Sequence, residues 1–356
     1  MKFGVLTYRQ ATENRQARFN IGDYIQSLAA LQFISDRDYL FLNREALNEY
    51  EGESLKMILN GWFMHKPQNW PPAKNIHPLF ISFHLNNSVR EQMKTPENIR
   101  YFKAHEPIGC RDTSTQQFLQ ANDVDAYYSG CLTLTLGRTY KLQKRSDTIY
   151  IVDPIVDHYS VERPAMKEIL PYLCTLVLHF FTLKKIGKKY IEWNPGSGFI
   201  NKENLKYLIK LLRFYRTFKN VISRDVMLKA TYITHFHKVE KYPDDPSRFA
   251  LAKDLLYKYA SAQYIITSRI HCALPCLGLG TPVIYVNNAD ENDISQCRFG
   301  GLGDLFQLAV VSINKCKVFS FPYPGVLKLD SILKNSDKYQ VLEKKLWETC
   351  SAFVHK

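Results

Sequence analysis

Two hydrophobic periods alternate along this chain. Short apolar runs at residues 2–8, 39–42, 55–59, 77–85, 106–110 and 125–128 are bounded by turn-forming residues and predict strands. Between them the spacing lengthens to the helical one. After Asn20-Ile21-Gly22-Asp23 a helix is predicted to residue 34, with Tyr24, Leu28 and Leu31 on one face and Asn20 or Asp23 as cap. Residues 98–104 read as helix, and Arg111-Asp112 opens another through Gln120 with Asp112 or Thr113 as cap. The run 132–136 alternates Leu and Thr. Strand–helix alternation of this kind predicts an α/β domain over the first 140 residues. Residues 9–19 form a polar, Arg-rich loop, long for a strand-to-helix connection and placed to hold a substrate at a helix N-terminus.

Residues 140–147 are polar and basic and read as a linker; a second set of strands starts at 148–152. The strongest local unit is 259–286: a strand at 263–267, a helix at 270–279, a break at Gly280-Thr281-Pro282 and a strand at 283–286. That is one βαβ unit of a parallel sheet. Ligands of such sheets bind beyond the carboxyl ends of the strands, against helix N-termini. Ser268, Arg269 and His271 stand there, a cation and an imidazole where an anion would bind. Taken alone, an Arg-x-His of this kind also reads as a surface ion-pair donor beside a satisfied histidine. Residues 202–218 predict an amphipathic helix with a solvated basic face, 230–235 a strand running into His235-Phe236-His237, and 329–353 one or two terminal helices. The Pro/Gly-rich 194–198 lacks the Lys-Ser/Thr of a phosphate loop and reads as a turn.

The longest apolar run, 169–183, contains Pro171 and His179 and is too short to span a bilayer; four lysines follow it. It reads as a buried helix with a solvated basic end. An apolar face plus lysines also fits a peripheral membrane contact, which would suit a lipid-linked substrate.

Composition narrows the class. At 356 residues with 46% hydrophobic and 13% aromatic content, the chain can fill two cores. A net charge of +13 suits anionic partners. None of the nucleic-acid-binding signatures accompanies it, so no nucleic-acid partner is expected. The N-terminus reads as a strand rather than a signal peptide. Of eight cysteines only Cys272 and Cys276 are close, a poor metal spacing; reduced thiols in a cytoplasmic protein without a metal are the expectation.

Five segments in order carry a family resemblance: N-I-G-D-Y-I-Q-S at 20–27, E-P-I-G-C-R-D at 106–112, S-G-C-L-T-L-T-L at 129–136, S-R-I-H at 268–271 and G-T-P-V-I at 280–284. Over residues 19–286 the chain resembles the polysaccharide pyruvyl transferase family. Ile270 stands where leucine is commoner, a conservative departure. The resemblance implies a glycosyltransferase-B-like fold, with two Rossmann-like domains facing across a cleft and the C-terminal helix returning to the first. Mapped here, that gives an acceptor-side domain at 1–140, a donor-side domain at 148–320 and terminal helices at 325–356. It also implies phosphoenolpyruvate as donor substrate, no separate cofactor, and a cyclic pyruvate ketal on a sugar as product. By motif, Arg111, Arg269 and His271 serve the donor, with Ser268 beside them.

The donor's chemistry suits those residue types. Phosphoenolpyruvate carries a carboxylate and a phosphate on one small frame, and two arginines can each fork onto one group. Ketal formation needs a proton on the vinyl carbon and cationic stabilisation of the leaving phosphate, with His271 the best-placed acid. Candidate acceptor residues are Asn20, Asp23, Trp62 and His84, with Asp23 the choice for a base and Trp62 able to stack on a sugar ring. The acceptor would be a sugar, a lipid-linked oligosaccharide or a polysaccharide, met in the cytoplasm or at the inner face of the membrane. Rival readings are a nucleotide-sugar glycosyltransferase on the same fold and a non-catalytic sugar- or anion-binding protein.

Overall fold

A computed structural model describes residues 2–8, 18–153, 164, 166–193, 202–290 and 297–356. The long loop at 9–17 and the turn at 194–198 lie outside the described residues. Two six-stranded sheets, flanked by helices, organise the chain. The first contains β1 (Lys2–Thr7), β3 (Tyr39–Asn43), β4 (Leu55–Phe63), β5 (Ile76–Leu85), β6 (Ile108–Cys110) and β7 (Ala126–Tyr128), all parallel. The second contains β8 (Ile149–Val152), β9 (Thr231–Ile233), β11 (Tyr264–Thr267), β12 (Val283–Asn288), β13 (Gln307–Ser312) and an antiparallel edge strand, β14 (Lys317–Ser320). The spatial orders are β3-β1-β4-β5-β6-β7 and β9-β8-β11-β12-β13-β14. Counted within its own half, each sheet therefore runs 2-1-3-4-5-6. The switch points of such sheets, where ligands bind, fall between β1 and β4 and between β8 and β11.

The helices are α1 (Ile21–Leu31), α2 (Arg90–Met93), α3 (Pro96–Lys103), α4 (Thr113–Gln120), α5 (Gly137–Tyr140), α6 (Met166–Leu178), α7 (Phe180–Trp193), α8 (Lys202–Phe218), α9 (Arg224–Lys229), α10 (Asp245–Ser261), α11 (Ile270–Leu279) and α12 (Tyr339–His355). One apolar core runs through both halves, from Val5 and Leu59 of the first sheet through Ile25 and Leu274 of the crossing helices to Ile265 and Val283 of the second. Helices α1 and α10 fasten it: Tyr24 packs on Phe249 with ring centroids 5.3 Å apart and donates its hydroxyl to Asp245 at 2.8 Å. A short antiparallel ribbon adds a backbone link, pairing β2 (Arg18–Asn20) with β10 (Phe236–Lys238). Helix α12 lies against the first half, where Trp347 packs on Phe33 at 4.7 Å and Glu343 pairs with Arg138 at 2.6 Å.

One alternating segment is not extended, and one apolar run differs from the sequence-based expectation. The Leu/Thr run 132–136, for all its alternation, is a 3-10 turn, and all five of its residues are buried. Alternation needs one wet face, whereas this segment is enclosed by α1, α11 and α12. It permits a backbone contact between the halves: a Cβ on Gly137 would collide with the Gly278 carbonyl, and one on Gly278 with that of Leu134. The apolar run 169–183 is not a buried helix. It spans α6 and the start of α7, two helices bent by 89°, with much of its apolar face exposed.

Candidate active site

The second sheet places an ion pair at its switch point. Asp153 directly follows β8 and Arg269 closely follows β11, the adjacent parallel strand. Asp153 adopts a left-handed φ of 46°, a conformation that is uncommon outside glycine and costs of order 1 kcal/mol or more. In return its carboxylate accepts from Arg269 Nε at 2.5 Å and from the His235 backbone N–H at 3.0 Å, while its carbonyl accepts from Ser268 Oγ at 2.7 Å. The Arg269 guanidinium also lies over the Phe236 ring, 4.5 Å from its centroid. One edge and one face of the group are thus fixed. Its Nη2 nitrogen is buried with no hydrogen-bond partner among the described residues. An unpaired buried donor is unfavourable by about 1–3 kcal/mol, more for a charged group, and an anion would relieve it.

Arg269 is the N-cap residue of α11, and His271 is in that helix's first turn, 7% exposed. The imidazole meets the first turn of α1. A Cβ built on Gly22 would come 3.0 Å from His271 Nδ1 and 3.1 Å from its Cβ, so the N-I-G-D glycine is a close-approach residue. Asn20 caps α1 by accepting from the Gly22 N–H at 3.1 Å, and the Ile21 N–H donates to the His235 carbonyl at 2.8 Å. The amino ends of two helices, 11 and 10 residues long, are thereby held together. Their dipoles favour an anion there.

The same helix reaches Arg111. This residue follows β6, is 2% exposed and donates Nη1 to Gln26 Oε1 at 3.4 Å, one turn of α1 beyond Gly22. Gln26 also donates to Asp23 at 3.3 Å. Behind Arg111, Asp112 caps α4 by accepting from the Thr115 N–H at 2.9 Å and takes His84 Nδ1 at 2.5 Å. Burial alone would raise the Asp112 carboxyl, but His84, Arg111 and the Thr115 N–H together hold it below the usual carboxylate range. The Gly-rich segment of the second half crosses onto this helix end, with Gly300 accepting from the Thr113 N–H at 3.1 Å and Gly301 from the Tyr128 hydroxyl at 2.8 Å.

At the switch point of the first sheet, Arg44 is buried between the rings of Tyr8 and Trp62, 4.8 Å from each centroid, and pairs with Glu45 at 2.7 Å. Burial pushes the neighbouring Asp23 carboxyl upward, against the pull of Arg44 and Arg111. Gly61 has φ of 106°, and a Cβ there would come 2.9 Å from Gln26 Oε1. Asn60 holds the Gln26 carbonyl at 2.9 Å.

Of the sequence candidates, Ser268 and Arg269 are held on Asp153, and His271 meets the first turn of α1, which leads through Gln26 to Arg111 and Asp23. Trp62 is half-buried, with Arg44 on its ring. Asn20 is engaged as a helix cap, and His84 lies wholly inside, orienting Asp112. Sequence reasoning does not single out Asp153, Gln26, Phe236 or Arg44. Asp153 carries the same signal as Arg269, a charged residue at the carboxyl end of an apolar strand. Arg44 carries no local signal. His235 and His237 stand at the ribbon beside Asp153, whose carboxylate takes the His235 N–H. Burial, then Arg269 and His237, pushes His235 well below the usual imidazole range, and its Nε2 lies 2.8 Å from the Tyr259 hydroxyl. Burial first takes His237 down to about 4. Among the described residues no group of three or more His, Cys, Asp or Glu side chains is arranged to hold a metal ion.

A family model described as polysaccharide pyruvyl transferase matches residues 20–291. The chain belongs to the polysaccharide pyruvyl transferase family. The match begins at the Asn20 cap and ends just beyond β12, so it encloses the switch point of the second sheet, Arg111 and the Arg269–His271 pair, while β1 lies before it. Membership makes the chain a transferase of pyruvyl groups with a sugar or polysaccharide acceptor. No curated protein matches it.

Proposed function

We propose that this pyruvyl transferase takes phosphoenolpyruvate as donor substrate, without a separate cofactor, and forms a cyclic ketal on a hydroxyl pair of a sugar during cell-surface glycan synthesis. The observation that carries the reading is Arg269. Asp153 and Phe236 fix it, it keeps a buried donor nitrogen unpaired, and it adjoins an imidazole between two helix amino ends. An anionic donor with two charged groups suits this arrangement, with Arg269 on one group and Arg111 on the other. The two like-ordered sheets are read as a glycosyltransferase-B-like pair of domains, with donor on the second and acceptor on the first.

In the proposed reaction His271 protonates the donor's methylene carbon, which becomes the methyl group. A sugar hydroxyl bonds to the adjacent carbon and loses its proton to Asp23. The carbon–oxygen bond to phosphate then breaks, the electron pair leaving with phosphate beside Arg269 and the helix ends. The second hydroxyl closes the ring. Of the two hydroxyl protons released, one balances the proton taken by carbon and the other leaves with phosphate. The raised Asp23 carboxyl supports its assignment as base, since a carboxylate nearer neutrality takes a proton more readily. Phosphoenolpyruvate as donor would place the reaction in the cytoplasm.

The test is phosphate release from phosphoenolpyruvate over a panel of glycoside acceptors, with ketal formation followed by mass spectrometry. Loss of the positioned acid in His271→Gln should slow turnover by about a hundredfold or more with the fold intact. Near-wild-type turnover would remove His271 from the mechanism. Activity with a nucleotide sugar and none with phosphoenolpyruvate would make the protein a glycosyltransferase. Binding without turnover across the panel would favour a sugar- or anion-binding protein.

A further inference from the structure

Helix α6 and the elbow into α7 turn apolar side chains outward, and α6 turns hydrogen-bonded ones inward; further along, α7 packs Leu183 and Ile186 into the core. On α6, Met166, Leu170, Leu173 and Val177 recur at three- and four-residue spacing, and with Leu178 and Phe181 at the elbow they are 53% to 87% exposed. The inner face is already anchored. Arg216 Nη1 donates to the Pro171 carbonyl at 2.8 Å and to Thr175 Oγ1 at 3.1 Å, Arg213 Nε donates to the Tyr172 hydroxyl at 3.3 Å, and Arg224 Nε donates to Thr182 Oγ1 at 2.8 Å. The elbow cannot roll its exposed apolar face inward without breaking these bonds and drawing Leu183 and Ile186 out of the core. An ordinary surface helix has the opposite polarity, and exposed apolar patches of this extent mark interaction sites.

Length and charge identify the partner. At 13 and 14 residues, bent by 89°, neither helix is long enough to cross a bilayer. At 1.5 Å per residue each reaches about 20 Å against a hydrocarbon core of about 30 Å. Residues 166–189 hold five lysines against one glutamate, and Lys184, Lys185 and Lys188 are exposed just beyond the elbow. Lysine is depleted at protein–protein interfaces but favoured beside anionic lipid.

We propose that the α6–α7 elbow docks the protein on an anionic phospholipid bilayer, its apolar face in the interfacial region and its lysines at the headgroups. Docking of this kind does not depend on which donor the site takes. Its test is co-sedimentation of the full chain with phosphatidylcholine vesicles, with and without phosphatidylglycerol. Binding should require the anionic lipid and weaken as salt rises. Leu173→Glu with Val177→Glu should abolish it. Replacing Lys184, Lys185 and Lys188 by Ala should weaken it roughly fivefold per lysine. Both variants should keep wild-type thermal melting and wild-type turnover of a soluble acceptor in vesicle-free buffer. Three results would each overturn the proposal: no vesicle binding, binding indifferent to these substitutions or to lipid charge, or a homodimer in light scattering that Leu173→Glu and Val177→Glu dissociate while vesicles stay unbound.

Discussion

Arg269 Nε lies 2.5 Å from the carboxylate of Asp153, and the two residues stand at the carboxyl ends of adjacent parallel strands. The pair joins fold to chemistry. The switch point creates the place, and the carboxylate turns a flexible cation into an oriented one. Asp153→Asn tests this cleanly, because asparagine also tolerates the left-handed backbone there. It should keep the fold and lower the melting temperature, since it leaves Arg269 without its counter-charge. Donor affinity should fall by about tenfold or more, while acceptor affinity stays. Binding titrations of both substrates check it.

Gly22 and His271 make the second test. Alanine at position 22 places a methyl 3.0 Å from Nδ1, so the ring must shift by a few tenths of an ångström. Small displacements of a reacting group can lower rate by up to about a hundredfold. Gly22→Ala should therefore reduce kcat by roughly tenfold to a hundredfold, with little change in the Kd for donor. Stopped assays beside donor titration separate the two quantities.

Asp23 sets activity against stability. Its folded carboxyl is raised, mainly by burial, so charging it in the folded state is unfavourable. The penalty is absent below the unfolded value of 3.8 and complete once pH exceeds the raised folded one. Asp23→Asn should thus melt higher than wild type at neutral pH, and the difference should close as pH falls toward 3.8. The same variant should lose most of its turnover. Thermal melts over a pH series, with assays alongside, test both parts.

His237 gives an acid limb of opposite origin. Its folded value is pushed down to about 4 from 6.5, so the folded state keeps the ring neutral while the unfolded chain takes a proton. That stability is full above 6.5 and is lost as pH falls toward about 4. Urea midpoints for His237→Gln should therefore decline less than those of wild type across this window.

The parallel strands, and the placement of Arg269 and His271 beyond a strand at a helix N-terminus, were legible in the sequence because each depends on local pattern. A short apolar run bounded by turn residues reads as a strand wherever it sits, and the residue after it stands at the carboxyl edge of the sheet. Arg44 was not legible, since its role depends on Tyr8 and Trp62 closing on it from separate segments. Nor was the contact between Gly137 and Gly278, where two glycines far apart in sequence let backbones touch. Alternation over 132–136 does not mark a strand, because burial on all sides removes the wet face that makes alternation informative. The α6–α7 elbow misleads for a related reason: apolar content predicts burial only when the chain supplies something to cover it.

The most direct test of the central claim is calorimetric titration of wild type and Arg269→Ala with phosphoenolpyruvate, with a uridine diphosphate sugar as comparator. Wild type should bind phosphoenolpyruvate saturably, Arg269→Ala should lose about a hundredfold or more of that affinity, consistent with removing a partner of a buried charge pair, and the nucleotide sugar should show no saturable binding. Tight binding of the nucleotide sugar alone, or phosphoenolpyruvate binding unchanged in Arg269→Ala, would contradict the claim.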